Sequence, residues 1–215
     1  MPAATIRSAT PADGPSLNAI YAPYCTGSTV SFETGEPGGE EMARRVRAVQ
    51  ERGPWIVCEV SGAVAGYAYA SRHRDRAAYR WAVDTAVYVA PPFHRRGIGR
   101  ALYTTLFALL RAQGYVRACA GITVPNEGSV RLHESCGFTP VGIYRRVGYK
   151  LGAWRDVAWY QADLQPDPAV PAEPLPLAAV SDEVWRRAVA EGVSQARVDG
   201  ERTAGLEAGP GGAGR

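Results

Sequence analysis

A Val-rich run ending at Val89 passes through His94-Arg95-Arg96-Gly97-Ile98-Gly99-Arg100 into a helix-periodic segment, and this junction limits the possible folds most. A strand that enters a glycine turn and then a helix start leaves backbone N–H groups free at the positive end of a helix dipole. Such a turn is an anion site. The arginines and the short Gly-x-Gly spacing favour a pyrophosphate lying across it. Two phosphate motifs fail against it. A nucleotide-hydrolysing loop needs Lys-Ser or Lys-Thr after the last glycine, where Arg100-Ala101 stands. A dinucleotide fingerprint needs a third glycine where Leu102 stands and an acidic residue about 20 positions on, yet no Asp or Glu lies from 101 to 126.

Around this junction helix and strand patterns alternate. Thr5 to Ser8 reads as a strand and Pro11 to Tyr24 as a helix, with proline in its first turn and Leu17, Ile20 and Tyr21 on one face. A polar, glycine-rich loop spans Gly27 to Gly39 and carries an isolated Phe32, which suits either a binding element or a side chain packed under its own loop. Glu40 to Arg52 reads as a helix stopped by Gly53-Pro54. Trp55 to Val60, Ala63 to Ser71 and Trp81 to Val89 read as successive strands, which short links pair antiparallel. Ala101 to Gln113 is a helix with Leu102, Leu106, Leu109 and Leu110 facing a sheet. Val116 to Ile122 is a strand, Ser129 to Cys136 a short helix, and Phe138 to Val147 and Ala153 to Asp163 two closing strands. The class is α+β, or mixed α/β, with a central mixed, mostly antiparallel sheet flanked by helices.

One domain over 1–164 accounts for this pattern. Prolines at 166, 168, 171, 174 and 176 mark 165–180 as an extended or disordered Pro/Ala-rich linker. Residues 181–192 suit a short helix capped by Ser181-Asp182 and able to dock on the domain, while 193–215 reads as a disordered tail. The net charge of +3 is small and its basic residues are dispersed, which argues against nucleic acid as main partner. Cys25, Cys58, Cys119 and Cys136 lack zinc-ligand spacing and are no disulfide scaffold. No metal is expected. Without a signal peptide or an apolar run of membrane length, no membrane partner is expected and the default compartment is the cytoplasm.

The basic glycine turn after a strand, Asn126-Glu127-Gly128-Ser129 at the next strand's end, and His133-Glu134-Ser135-Cys136-Gly137-Phe138 resemble the GCN5-related N-acetyltransferase superfamily. Within it the chain is most similar to the phosphinothricin N-acetyltransferase family, over roughly Thr5 to Leu164. The marks are Ser28-Thr29-Val30-Ser31-Phe32, Tyr79-Arg80-Trp81, Val87-Tyr88-Val89, Val130-Arg131-Leu132-His133-Glu134 and Gly152-Ala153-Trp154-Arg155-Asp156. The resemblance implies acetyl-coenzyme A as cosubstrate. It implies pyrophosphate on Arg95, Arg96, Gly97, Ile98, Gly99 and Arg100, pantetheine along Val87, Tyr88 and Val89 with the strands splayed there, and further cofactor contact at Asn126 and Ser129. Asn126 also suits a cap for the helix that follows. The superfamily's loop usually opens with Gln or Arg, where this chain has His94.

Acetyl transfer to an amine needs a neutral nitrogen, so some group must take a proton. Asp84 is an acid in an apolar neighbourhood, costly to bury without a role. The related enzymes carry Glu there as candidate base, and the shorter Asp84 suits relay through a water. The resemblance also points to His133, as base or as proton donor to the leaving thiolate. Direct attack by the substrate nitrogen needs no nucleophilic side chain. The run Arg72-His73-Arg74-Asp75-Arg76 suits either a solvated hairpin or a clamp for a carboxylate. The likeness puts Arg74, Arg76 and Tyr79 on substrate-binding positions and Phe32 on a pocket wall. It implies a small amino-acid-like amine as substrate, the α-amino group of phosphinothricin or its analogues, and a homodimer with Trp154 near the cleft. Methionine sulfone or sulfoximine, a polyamine, an aminoglycoside or a peptide amine are alternatives, and a non-catalytic acyl-coenzyme A sensor is the reading from another class.

Overall fold

The computed structural model describes residues 4–197. Its elements are β1 (Ala4–Ser8), α1 (Gly14–Thr26), α2 (Gly39–Gln50), β2 (Trp55–Val60), β3 (Ala63–Arg72), β4 (Ala82–Val89) and α3 (Ile98–Gln113), then β5 (Arg117–Val124), α4 (Glu127–Ser135), β6 (Thr139–Lys150), β7 (Ala153–Asp163) and α5 (Asp182–Val193). Several boundaries differ from expectation, among them β6, which runs on from Val147 to Lys150, and two of the differences have local reasons. Helix α3 begins three residues early because Gly97 is itself the N-cap, and α4 begins at Glu127 because the Asn126 side chain accepts from the Ser129 N–H at 3.1 Å.

One seven-stranded sheet has the order β1-β2-β3-β4-β5-β7-β6. Only β4 and β5 run parallel, and their ladder has just three rungs, Ala82 to Arg117, Val83 to Ala118 and Asp84 to Cys119. Beyond Asp84 the strands part. Residues Thr85 to Val89 therefore have no partner strand on the β5 side.

Both faces are covered, which is why the central strands read as nearly continuous apolar runs. Period-two alternation sends Ile56 and Cys58 of β2 to the face under α3, with Leu102, Leu106, Leu109 and Leu110. It sends Trp55 and Val57 to the face under α1 and α2, with Leu17, Ile20, Met42 and Val46. Trp55 stacks on Tyr69 there with ring centroids 4.4 Å apart.

The segment 165–180 lacks regular structure up to a short helical turn at Leu177–Ala179 and is fastened to the domain. The Trp81 indole donates to the Ala172 carbonyl at 2.7 Å, and the buried Gln113 side chain donates to the carbonyls of Leu175 and Arg52. Beyond it α5 lies on α3, with Ala188 buried and its carbonyl accepting from the Thr105 hydroxyl at 3.2 Å. The tail expected over 193–215 lies outside the described residues from 198 onward. Among the described residues no helix is long and apolar enough to cross a membrane.

Candidate functional site

A cleft of about 450 Å³ opens where β4 and β5 part. One end is the turn before α3. Arg95 (φ 61°) and Gly97 (φ 75°) both adopt positive φ, the backbone form from which anion-binding nests are built. A non-glycine residue held there costs roughly 1 kcal/mol or more, strain that clusters at ligand sites. The first intrahelical bond of α3 runs from Ala101 N–H to the Gly97 carbonyl, so the amides of Ile98, Gly99 and Arg100 have no acceptor in their own helix.

The two glycines serve different ends. Gly97 needs its positive φ, and a Cβ there would also run into the Gln195 carbonyl. Gly99 has no such backbone demand; a Cβ there would lie 2.8 Å from Leu132 Cδ2, so it sets the approach of α4 to α3. Arg95 and Arg100 line the cleft. Arg96 does not: its guanidinium lies over the Phe93 ring at 5.7 Å, and its carbonyl accepts from the Arg197 N–H at 2.8 Å. The segment after α5 thus touches the glycine turn directly.

The free edge of β4 forms the cleft floor through Val87, Tyr88 and Val89. Asn126, Gly128 and Ser129 at the start of α4 form the opposite rim. The Val89 carbonyl accepts from the Tyr24 hydroxyl at 2.9 Å and lies 2.8 Å from His94 Nε2. The residue that departs from the superfamily's usual Gln or Arg thus contacts the very strand edge expected to meet the cofactor.

Asp84 stands at the head of the fork. Its Oδ1 is 2.6 Å from His73 Nδ1 and its Oδ2 is 3.9 Å from Arg74 Nη1. Burial raises the Asp84 carboxyl above the usual range, while the hydrogen bond from His73 pulls the other way. Arg74 lies over the Trp159 ring at 5.6 Å, and Tyr79 presents its ring to His73 at 5.8 Å. Arg76 precedes the short turn Ala77–Tyr79 and is exposed. Phe32 rests on Gly148 of β6, and its loop is held by the buried Lys150, whose Nζ donates to the carbonyls of Ser31 (2.5 Å) and Tyr24 (3.2 Å). The Trp159 indole N–H is buried without a partner among the described residues.

His133 does not line this cleft. It is buried between α3 and α4, its ring packed on Tyr103 and Phe138. Nδ1 is 2.8 Å from the Ser129 carbonyl, an acceptor only, so Nδ1 carries the proton. Nε2 then accepts from the Tyr103 hydroxyl at 2.8 Å. Burial pushes this imidazole below its ordinary value and keeps it neutral. Its partner Tyr103 lies 3.5 Å, hydroxyl to hydroxyl, from Thr85, which donates in turn to the Cys119 carbonyl at 3.2 Å and not to Asp84.

Tyr24, Lys150 and Trp159 carry no local sequence signal for these positions. Each acts across a distance in chain, 65 residues for Tyr24 to Val89, that only the fold closes. His73 was legible only as one member of a basic run. Its pairing with Asp84 depends on the register that sets Ser71 opposite Asp84.

The chain matches the acetyltransferase (GNAT) domain family over residues 6–159. It is 42% identical over 176 residues to a phosphinothricin N-acetyltransferase of Streptomyces viridochromogenes, covering 82% of this chain and 94% of that one. It is 32% identical over 173 residues to an L-methionine sulfoximine/L-methionine sulfone acetyltransferase of Pseudomonas aeruginosa, covering 78% and 99%. The crystal structure of a GNAT superfamily phosphinothricin acetyltransferase from Sinorhizobium meliloti in complex with AcCoA superposes with a TM-score of 0.76 at 35% identity, covering 80% and 95%.

Proposed function

The chain belongs to the GNAT acetyltransferase superfamily and is closely related to the phosphinothricin N-acetyltransferases, and on that premise we propose that it acetylates the α-amino group of phosphinothricin or a similar small amino acid. The enzyme is an acetyl-coenzyme A-dependent N-acetyltransferase. Its cosubstrate is acetyl-coenzyme A. The chain's own geometry fits that molecule: an anion nest and free helix amides at one end, an unpaired strand edge along the middle, and a polar rim from α4. The phosphates are assigned to the amides from Arg95 to Arg100 with the Arg95 and Arg100 side chains, and the pantetheine arm to the β4 edge at Val87, Tyr88 and Val89, with Asn126 and Ser129 across from it. When bound, the cosubstrate supplies the thioester. A strand N–H near Val87 is the donor for negative charge on its carbonyl oxygen.

The observation that carries the acceptor reading is the cluster at the head of the fork. A half-buried Asp84 stands beside Arg74, which lies against the aromatic Trp159. An acid raised by burial is suited to proton transfer, and a cation on an aromatic wall is suited to an anionic amino acid. Arg74, Arg76, Tyr79 and Phe32 are assigned to that acceptor. Polyamines and aminoglycosides would meet these arginines as like charges. His133 is assigned to the proton path only indirectly, through the Tyr103 hydroxyl, since both its ring nitrogens are already engaged.

We also infer a homodimer. Strand β6 is a sheet edge that exposes Val141, Ile143, Tyr144, Val147 and Tyr149, with Trp154 on the adjoining β7, a patch that soluble monomers rarely leave open. Phe32 touches this hairpin at Gly148, so the second copy would border the acceptor site.

Thiol release measured with phosphinothricin, methionine sulfoximine, methionine sulfone, spermidine, an aminoglycoside and a short peptide tests the acceptor. The first three should exceed the others by about 10²-fold in kcat/KM, the size of one hydrogen bond to a charged group. Turnover confined to the last three overturns the amino-acid reading.

A further inference from the structure

We propose that His73 is the group that takes the proton from the incoming amine, with Asp84 as the anion that orients it. The proposal rests on the N-acetyltransferase reading and names a catalytic residue within it. The β3–β4 register sets Tyr67 opposite Tyr88, Tyr69 opposite Ala86 and Ser71 opposite Asp84. Side chains alternate along a strand, so residue 73, two beyond Ser71, returns to the face that Asp84 occupies. His73 lies just past the end of β3 and folds back to place Nδ1 2.6 Å from Asp84 Oδ1.

This hydrogen bond decides which nitrogen is available. A carboxylate only accepts, so Nδ1 carries the proton and the neutral ring keeps its lone pair on Nε2. Among the described residues the ring makes no other hydrogen bond. Tyr79 and Trp159 flank it, with centroids at 5.8 Å and 6.3 Å, and its side chain remains 16% exposed. The ring is oriented but not sealed. Asp84, by contrast, has His73 on one oxygen and Arg74 near the other. Its carboxylate is extended outward by the imidazole, which gives a short acid the reach it lacks.

Cys119 completes a cluster whose ligand atoms lie within 4.8 Å of one another. Two ligands on a tetrahedral zinc, at bonds of about 2.0–2.1 Å, would stand about 3.3 Å apart. The 2.6 Å between Oδ1 and Nδ1 is instead a hydrogen bond. Burial pushes the Cys119 thiol up to about 11, which leaves it a poor nucleophile.

The step balances without any further reactant. The substrate ammonium gives one proton to His73 Nε2, and its freed lone pair forms the C–N bond at the thioester carbon. The C–S bond breaks, the thiolate leaves with the electron pair, and the second proton on nitrogen neutralises it. His73 returns its proton to water.

His73→Ala, His73→Asn and Asp84→Glu, singly and with His73→Ala combined with Asp84→Glu, test the idea on the full-length protein with the best acceptor of the panel. His73→Ala should cut kcat/KM for the amine about 10²- to 10⁴-fold, the worth of a placed proton acceptor. Acetyl-coenzyme A affinity by calorimetry should stay within twofold, and added imidazole should restore rate in proportion to its concentration. His73→Asn keeps a donor toward Asp84 but has no second ring nitrogen, so it should be as slow as His73→Ala; wild-type turnover in His73→Asn would reduce His73 to a spacer and overturn the proposal. Asp84→Glu should slow the wild type yet speed the His73→Ala variant. Proton NMR of the free enzyme should show a downfield Nδ1–H signal that disappears in Asp84→Asn and in His73→Ala. A His73→Ala enzyme within threefold of wild type, or one that imidazole and Asp84→Glu both fail to rescue, also sinks the idea. A wild type inactive on every amino acid of the panel would instead remove the acceptor reading, and His73 would then be judged by the NMR signal and by the same variants on whichever amine is acetylated.

Discussion

Replacing Gly192 by Val should loosen acetyl-coenzyme A binding although residue 192 lies outside the cleft. Gly192 lets α5 sit directly on α3: a Cβ there would collide with the Thr105 hydroxyl and lie 2.6 Å from the Ala101 carbonyl oxygen. That is well inside the ~3.5–4.0 Å at which non-bonded atoms rest, so the helices must part by about 1 Å. Overpacking of this kind costs about 1–3 kcal/mol, and loss of the Thr105 to Ala188 hydrogen bond adds about 1 kcal/mol. For a chain of this size, a total of about 2–4 kcal/mol lowers Tm by roughly 5–12 °C. The same displacement draws Gln195 away from Gly97 and breaks the bond from the Arg197 N–H to the Arg96 carbonyl, which together brace the glycine turn. Losing one such bond corresponds to a rise in Kd of roughly 3- to 10-fold. Calorimetric titration with acetyl-coenzyme A, beside a thermal melt, reads both effects. A Tm that falls by the expected amount with Kd unchanged would refute the bracing; an unchanged Tm would refute the overpacking.

Other consequences concern the acid side and the acceptor loop. His133 is held neutral by burial, so below its ordinary value of 6.5 the unfolded chain takes up a proton that the folded chain refuses. Its contribution to stability is therefore present above about pH 6.5 and lost as pH falls through its depressed folded value, and melts at pH 7.5 and 5.5 should show a smaller drop for His133→Gln than for wild type. Asp84, raised rather than lowered, acts in the opposite sense, so the difference between the two proteins is the quantity to compare. An equal drop would show that His133 titrates normally. Lys150→Met removes two charge-assisted bonds, to the loop carbonyl of Ser31 and the α1 carbonyl of Tyr24, and should lower stability by about 1–3 kcal/mol. It should raise KM for the acceptor several-fold while leaving acetyl-coenzyme A affinity unchanged, because Phe32 moves with that loop; steady-state kinetics with each substrate varied in turn would separate the two.

What could be read from the chain alone was whatever is encoded within a turn or an element. The glycines at 97 and 99 followed by a Leu-periodic helix pointed to an anion seat, and the structure gives that turn free helix amides, since backbone amides need only local geometry to be exposed. Short links after β2 and β3 made antiparallel pairing of β2, β3 and β4 readable in the same way. The cap at Asn126 was likewise local. Phe32 and the arginine run stood out as unusual, but their surroundings did not.

The rest waited for contacts between distant parts of the chain. Parallel pairing of β4 with β5 stops after Asp84, and that fork creates the cleft; a register of this kind is settled by packing across two cores and has no signature in either strand. The same register brings His73 back to Asp84, and α1 supplies Tyr24 to the β4 edge. Burial of His133 against Tyr103 and Phe138 moved a residue that looks available in sequence into the interior. A motif lists which groups are present, and local backbone chemistry can already place an anion; only tertiary structure decides which lone pairs are spent on neighbours and which remain to meet a substrate, because hydrogen bonding and desolvation depend on everything packed around them.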